Sequence, residues 1–352
     1  MGKGGKGMEN AKIDIYPSPE IRQMIENDIG LFEIFKDNKN SEPMKGNTNA
    51  FLNRLFNGYF DKYNEEMKEF TKLLDTSHRT TKDIRKLTDM ILDNEADKLF
   101  PRHSNNTEDK SEKNRLSFKP TQKNYTINIY EEIDRNCPHN MSRSGFICDI
   151  LKFYFRKPLY QRERIIFYSE YETISFCCQK KCIKFYNLSD NQWYTVMPYK
   201  IFLGKEQMFN YVFCYGLDEN NTIKNYSFRL SRMSQIQGTS LFIPCPEDIE
   251  KNFSLTQSLG ASYAINTSPE TSCVLLTKKG LSSFRHIYFG RPKVEKKESA
   301  PNGGFRYYFN CSEEQLYRYF RRFNPGEAIV ESPPSLRDRI IDFHKKSLEV
   351  YQ

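Results

Sequence analysis

The sequence lacks the segments and motifs that would place the chain in a membrane or in a common enzyme class. It contains no run of about 18 apolar residues, so no transmembrane helix is expected, and the opening MGKGGKG has no apolar stretch typical of a secretory signal. The five histidines stand in unrelated contexts, and no glycine-rich phosphate loop, HExxH helix or nucleophile elbow is present. We therefore expect a cytoplasmic protein that is not an enzyme and uses no cofactor.

The nine cysteines form no regular framework. Their tightest group, Cys177, Cys178 and Cys182, has no neighbouring histidine and lacks the paired spacing of a zinc site. We therefore expect the cysteines to be free thiols and to bind no metal. Lysine and arginine number 53 against 45 aspartate and glutamate, a net charge of +8, which permits nucleic-acid binding without requiring it.

A strand–helix–helix pattern occurs twice in the first half of the chain. The first copy has the alternating strand KIDIY, a helix capped by Ser18 and a second helix from Asn47. The later copy has the strand NYTINIY (residues 124–130), a short helix to about Cys137 and a helix that begins at Ser142. Since a single strand leaves its backbone groups unpaired, two copies are expected to pair their strands.

Both copies resemble the ribbon-helix-helix module. The resemblance implies a tandem pseudo-dimer whose outward strand side chains enter a DNA groove and whose second helices hold phosphate at their N-termini. Asp14 on the outward side is a poor residue to present to DNA, so a dimerisation or scaffold module that does not bind DNA stays an equal alternative. By position, the implied contacts are Lys12, Thr126 and Asn128 in the strands and Asn47, Thr48, Ser142, Arg143 and Ser144 at the helices.

The stretch from Gln192 to Met233 contains VMPYKIFL, FNYVFCYGLD and YSFRLSRM, and CIKFYN precedes it. The alternation and turn signals predict about five short antiparallel strands, the size of an Sm- or SH3-like barrel. These blocks resemble the WYL domain, although Asn210-Tyr211-Val212 keeps only the tyrosine of the name-giving motif. The resemblance implies a barrel that binds nucleotides or single-stranded nucleic acid through aromatic faces and arginines. The candidate residues are Tyr186, Tyr199, Lys200, Tyr211, Arg229 and Arg232.

The last part of the chain predicts a small α+β unit. A strand at 306–310, a helix capped by Ser312, a strand at 327–331 and a helix after Pro333-Pro334 follow one another. This order resembles the C-terminal extension of WYL domains, which implies a role in dimerisation. Arg318, Arg321 and Arg322 have helical spacing, which fits either a basic face for nucleic acid or a solvated helix face.

Taken together, these parts predict an α+β multidomain protein: a first ribbon-helix-helix copy at 1–63, a helical connector and polar linker at 64–122, a second copy at 123–158, a barrel at 159–240 and the extension at 241–352. This combination resembles the WYL accessory proteins of type VI-D, RNA-targeting CRISPR systems. The resemblance implies a homodimeric protein that binds single-stranded RNA, with single-stranded DNA left open, and that enhances RNA cleavage by a CRISPR effector ribonucleoprotein. Two alternatives stay open: a transcription regulator that binds duplex DNA and senses a nucleotide, and a purely structural dimer.

Overall fold

The computed structural model describes residues 12–36, 45–75, 115–120, 128–204, 208–217, 221–261, 271–287 and 290–351. The chain divides into two compact units, residues 1–172 and 173–352. Both contain helices and antiparallel strands, as the predicted α+β class requires. Within the described ranges, no helix has the length and apolarity needed to cross a membrane.

The first unit contains two strand–helix–helix halves, and their strands form an antiparallel pair in which Asp14 lies opposite Ser117. Helix α1 begins after Pro17 because the Ser18 hydroxyl accepts a hydrogen bond from the Ile21 N–H. The elements are β1 (Ile13–Ile15), α1 (Pro19–Leu31), α2 (Thr48–Asp75), β2 (Leu116–Phe118), α3 (Ile129–Asn136), α4 (Arg143–Phe155), α5 (Leu159–Ile166) and the start of α6 (Tyr168–Cys177).

The second strand of this pair is not the one that the sequence predicts. Residues 129 and 130 are helical, and Asn128 caps α3 by accepting hydrogen bonds from the Tyr130 and Glu131 N–H groups. Asparagine is a strong N-cap and acidic residues favour the first helical turn, so the local signal there is for a helix. Residues 121–127, including Thr126, lie outside the described part. The partner of β1 is instead Leu116–Phe118, in the segment interpreted as a linker.

The core of the first unit is built from aromatic rings of α2 and α4. Phe51 and Tyr59 of α2 pack edge-on against Tyr154 of α4, with ring centroids 5.8 and 6.5 Å apart. Tyr63 contacts Phe153 in the same way at 5.3 Å. Each fully buried side chain of this size contributes about 1.5–3 kcal/mol to stability. The helical pattern of apolar residues in both helices therefore correctly predicts the core.

The second unit contains a five-stranded antiparallel sheet in the order β6-β5-β4-β3-β7. Strand β4 is 13 residues long and pairs with β3 through its first part and with β5 through its second. The strands are β3 (Ile183–Asn187), β4 (Gln192–Gly204), β5 (Phe209–Leu217), β6 (Ile223–Arg229) and β7 (Met233–Gly238), with a 3₁₀ helix at Leu230–Arg232 and α7 (Ile249–Leu259) after the sheet.

A four-stranded antiparallel sheet in the order β11-β8-β10-β9 forms the last part of the chain. Its helices cover a core that includes Val274, Phe309, Leu316 and Phe320. The strands and helices expected after residue 305 are confirmed within one or two residues. The elements are β8 (Ser272–Leu276), α8 (Lys278–His286), β9 (Val294–Ser299), β10 (Phe305–Phe309), α9 (Glu313–Phe320), β11 (Ala328–Ser332) and α10 (Pro334–Glu349).

Candidate nucleic-acid interface

The outer side of β3 and β4 presents two aromatic rings and a lysine. Along β3 the buried residues alternate with Lys184 and Tyr186, which point outward. Tyr186 lies opposite Trp193 of β4, and their ring centroids are 5.5 Å apart at 62°. Trp193 is 50% exposed, and the Lys184 Nζ lies 5.3 Å from its ring centroid. We call Lys184, Tyr186 and Trp193 the Trp193 face.

The inner side of the same strands holds the Trp193 face in place. Phe185 of β3 contacts Phe228 of β6 at 4.9 Å, and Tyr194 of β4 contacts the same ring at 4.8 Å. The Tyr194 hydroxyl donates to Asp190 Oδ2 at 2.6 Å, and desolvation followed by this bond raises the pKa of Tyr194 to about 12. The β3–β4 hairpin is thus fixed from its buried side and by its turn.

The chemistry of the Trp193 face suits an anionic, aromatic ligand. No carboxylate of the described residues pairs with the Lys184 ammonium, which lies over the indole instead. The Tyr186 hydroxyl donates to Asn191 Oδ1 at 3.3 Å, which orients its ring. Exposed aromatic faces can stack on nucleobases, and each stacked base contributes about 1–3 kcal/mol to binding. A neighbouring lysine can hold the phosphate.

Of the other residues predicted for this part of the chain, three lie around α7 or inside the sheet. Tyr199 is half-buried against Phe253 of α7, with ring centroids 5.6 Å apart, and the exposed Lys200 places its Nζ 5.4 Å from the same Phe253 ring. Tyr211 is buried and packs against Phe202. Because the Tyr211 ring is buried in the sheet, it has no open face for base stacking.

Arg229 and Arg232 stand on different elements. Strand β6 ends at Arg229, and a 3₁₀ helix turns the chain at Leu230–Arg232. The Arg229 guanidinium lies over the Phe209 ring, 3.4 Å from its centroid. Arg232 Nη1 donates to Ser189 Oγ at 3.3 Å, beside the β3–β4 turn.

The residues of the first strand–helix–helix copy that were predicted to contact DNA differ in exposure and in bonding. Lys12 is exposed just before β1. Asp14 on the outward side forms an ion pair with Arg115, with 2.9 Å between Asp14 Oδ2 and Arg115 Nη2. Asn47 Oδ1 accepts from the Ala50 N–H at 3.0 Å, and Thr48 is the first residue of α2.

The side chains at the N-terminus of α4 already have partners within the first unit. Ser142 Oγ accepts from the Gly145 N–H at 3.1 Å, and Arg143 forms a two-pronged ion pair with Asp134. Ser144 Oγ accepts from the Tyr16 N–H at 3.0 Å. These contacts cap the helix and join it to β1, so the three side chains serve the fold in this structure.

The three arginines near α9 do not form one basic face. Arg318 is paired with Glu314 through a 2.6 Å contact, which cancels its charge locally. Helix α9 ends at Phe320, so Arg321 and Arg322 lie beyond it. Arg321 lies 5.6 Å from the Tyr317 ring centroid and Arg322 lies 4.8 Å from that of Tyr319. These separate contacts favour the alternative of a solvated helix face.

Lys184 and Trp193 are not among the residues predicted from the sequence. Trp193 is the only tryptophan in the chain, and it is the second residue of β4, two residues after the turn residue Asn191. The available signal was a tryptophan near the start of a strand, next to the polar Gln192 and opposite Tyr186 in the register of β3 and β4. Its exposure depends on which strand pairs with which, and that information is not local.

Comparison with known proteins supports the fold. A solved structure described as the crystal structure of a CRISPR Cas-related protein aligns with 98% of this chain and 95% of its own length, with a TM-score of 0.63 and 16% identity. The chain thus shares its fold with that protein. A second structure, proteasome accessory factor B/C (PafBC) of Arthrobacter aurescens, aligns with 49% of this chain and 26% of its own length, at a TM-score of 0.22 and 19% identity. No protein-family model and no curated protein sequence matches the chain.

Proposed function

We propose that this chain is a non-enzymatic protein that binds single-stranded RNA through the Trp193 face. The main support is the half-exposed Trp193 ring. It contacts the Tyr186 ring, and the Lys184 ammonium lies over it. Aromatic platforms beside lysines bind single strands because unpaired bases expose their π-faces. A duplex stacks those faces internally and offers mainly its phosphates to such a surface.

The proposed biological role is that of a CRISPR accessory protein that enhances an RNA-targeting effector ribonucleoprotein. The full-length likeness to a CRISPR Cas-related protein supports this role. In this proposal the five-stranded sheet is an Sm-like WYL barrel. The order β6-β5-β4-β3-β7, in which β3 to β6 form a meander and β7 returns beside β3, is compatible with that assignment. The four-stranded extension would supply the homodimer contact.

One observation favours the alternative of a ribbon-helix-helix transcription regulator. The pairing of β1 with β2 supports a two-stranded ribbon over two helix pairs in the first unit, and such a ribbon fits the DNA major groove. Against this alternative, the outward strand pair holds Asp14 with Arg115, and the α4 N-terminal side chains are engaged within the unit. The proposal therefore assigns the ribbon to scaffolding.

The test is fluorescence anisotropy with labelled single-stranded RNA, single-stranded DNA and duplex DNA of equal length, each at two salt concentrations. The variants are Trp193→Ala and Lys184→Ala, and Lys279→Ala is the matched control because it is an exposed lysine on α8. We expect RNA to bind most tightly and both variants to weaken it while the control does not. Tightest binding to duplex DNA, unaffected by Trp193→Ala, would favour the transcription regulator.

A further inference from the structure

A second exposed aromatic ring, with two lysines beside it, stands close to the Trp193 face. Phe176, in the last turn of α6, is 64% exposed. The Nζ atoms of Lys180 and Lys181 lie 5.3 and 4.9 Å from its ring centroid. We call Phe176, Lys180 and Lys181 the Phe176 cluster.

The Phe176 cluster carries two positive charges, on Lys180 and Lys181. No carboxylate of the described residues pairs with Lys180 or Lys181. The two ammonium groups beside this ring repel each other. The ring itself stays exposed to water, so it contributes no stability through burial. An anionic ligand with a flat apolar part would offset the repulsion between the lysines and cover the exposed ring. A nucleotide in a single strand has both features.

The cluster is connected to the Trp193 face through β7. Lys181 lies against Gly238, where an added methyl group would be 3.1 Å from Lys181 Cε. The residue before Gly238 in β7 is Gln237, which lies opposite Lys184 of β3. Lys181 and Lys184 are three residues apart, so their Cα atoms are at most about 11 Å apart. Along the chain, Lys180, Lys181 and Lys184 thus lie between Phe176 and Trp193.

We propose that the Phe176 cluster is a second stacking site for the same single-stranded RNA, so that the bound strand runs from Trp193 past Lys184 and Lys181 to Phe176. This inference rests on the proposed RNA-binding function and extends its footprint. We assign a single strand rather than an acidic protein segment as the occupant. A lysine lies over an exposed aromatic ring at Phe176 and again at Trp193, and a single strand likewise repeats a base and a phosphate along its length.

The test compares RNAs of about 4 and about 12 nucleotides, a short and a longer length within the range of about 4–16 nucleotides that one OB-fold barrel binds. Binding of the short RNA is followed by Trp193 fluorescence, which reports only on the Trp193 face, and binding of the long RNA by anisotropy. Phe176→Ala should weaken the long RNA about tenfold and leave the short one unchanged, since one stacked base is lost. Lys180→Ala combined with Lys181→Ala should lower the slope of log affinity against log salt by about 1.4 for the long RNA, two single-strand phosphate contacts at about 0.7 each.

The matched control is Lys278→Ala combined with Lys279→Ala, an adjacent exposed lysine pair on α8. If Phe176→Ala binds both RNAs as the wild type does, the inference is wrong while the Trp193 response still supports the proposed function. Unchanged RNA binding together with lost binding to polyglutamate would assign the cluster to an acidic protein partner and also overturn the inference. If the wild type binds neither RNA, the proposed function itself fails.

Discussion

Replacing Arg162 with methionine tests a buried ion pair that joins α1 to α5 in the first unit. Arg162 Nη1 donates to Asp28 Oδ1 at 2.6 Å, and the Tyr154 hydroxyl donates to Asp28 Oδ2 at 2.8 Å. Asp28 is only 1% exposed. The variant therefore leaves a carboxylate buried with one neutral donor, which is costly because its charge has lost both water and its counter-ion.

The expected destabilisation is about 3 kcal/mol. Removing one partner of a buried pair costs about 3–5 kcal/mol, and the Arg162 side chain keeps 16% exposure, so water can partly replace it and the lower end applies. With a urea m-value of about 2 kcal/mol per molar, the unfolding midpoint of the first unit should fall by roughly 1.5 M. The double variant Asp28→Leu with Arg162→Met should recover most of this loss, because no uncompensated charge stays buried.

The pH dependence of this effect has a definite sign. Burial raises the pKa of Asp28 above its ordinary value, and Arg162 and then the Tyr154 hydroxyl oppose that rise. With a folded pKa above the unfolded one, this carboxyl contributes stability that is fully present below the unfolded pKa of about 3.9 and is lost as pH rises through the folded pKa. Loss of Arg162 raises the folded pKa further, so the destabilisation should be smaller at about pH 5 than at about pH 7.

The assay is urea unfolding followed by helical circular dichroism and by tryptophan fluorescence in the same samples. Trp193, the only tryptophan, lies in the second unit, so its transition is an internal control that should not move. A loss below about 1 kcal/mol, the range of exposed ion pairs, or a loss that is larger at the lower pH, would refute the reasoning.

Two further substitutions test local features. Asn128→Ala should destabilise the first unit by about 1 kcal/mol through the lost cap of α3, with faster amide exchange at Tyr130 and Glu131; unchanged exchange would contradict the cap. Gly280→Ala should cost at least about 2 kcal/mol in the second unit, because the new methyl group would collide with the Glu327 carbonyl oxygen on the chain leading into β11. Gly30→Ala is its control, since nothing lies within 4 Å of the added group, and thermal unfolding should show it neutral or stabilising.

The elements after residue 305 could be predicted because their signals are local. Ser312 caps α9 by accepting from the Gln315 N–H, and Pro334 begins α10 where a missing N–H costs nothing. Strand alternation likewise located β3 to within one residue. Each of these features is decided by a few consecutive residues.

Features that depend on distant pairing were not predictable. The choice of Leu116–Phe118 as the partner of β1 depends on contacts across about a hundred residues of sequence, while a second alternating segment competed for the same role. The 3₁₀ helix that separates Arg229 from Arg232 interrupts a pattern that reads as one strand. The exposure of Trp193 follows from the register between β3 and β4, which composition does not reveal.

Titration of the protein with unlabelled single-stranded RNA, followed by the fluorescence of Trp193, tests the central claim most directly. The proposal predicts a saturable change in intensity whose midpoint agrees with the affinity from anisotropy and rises steeply with salt. Tight RNA binding by anisotropy with no change in Trp193 fluorescence would place the RNA elsewhere on the protein and contradict the account.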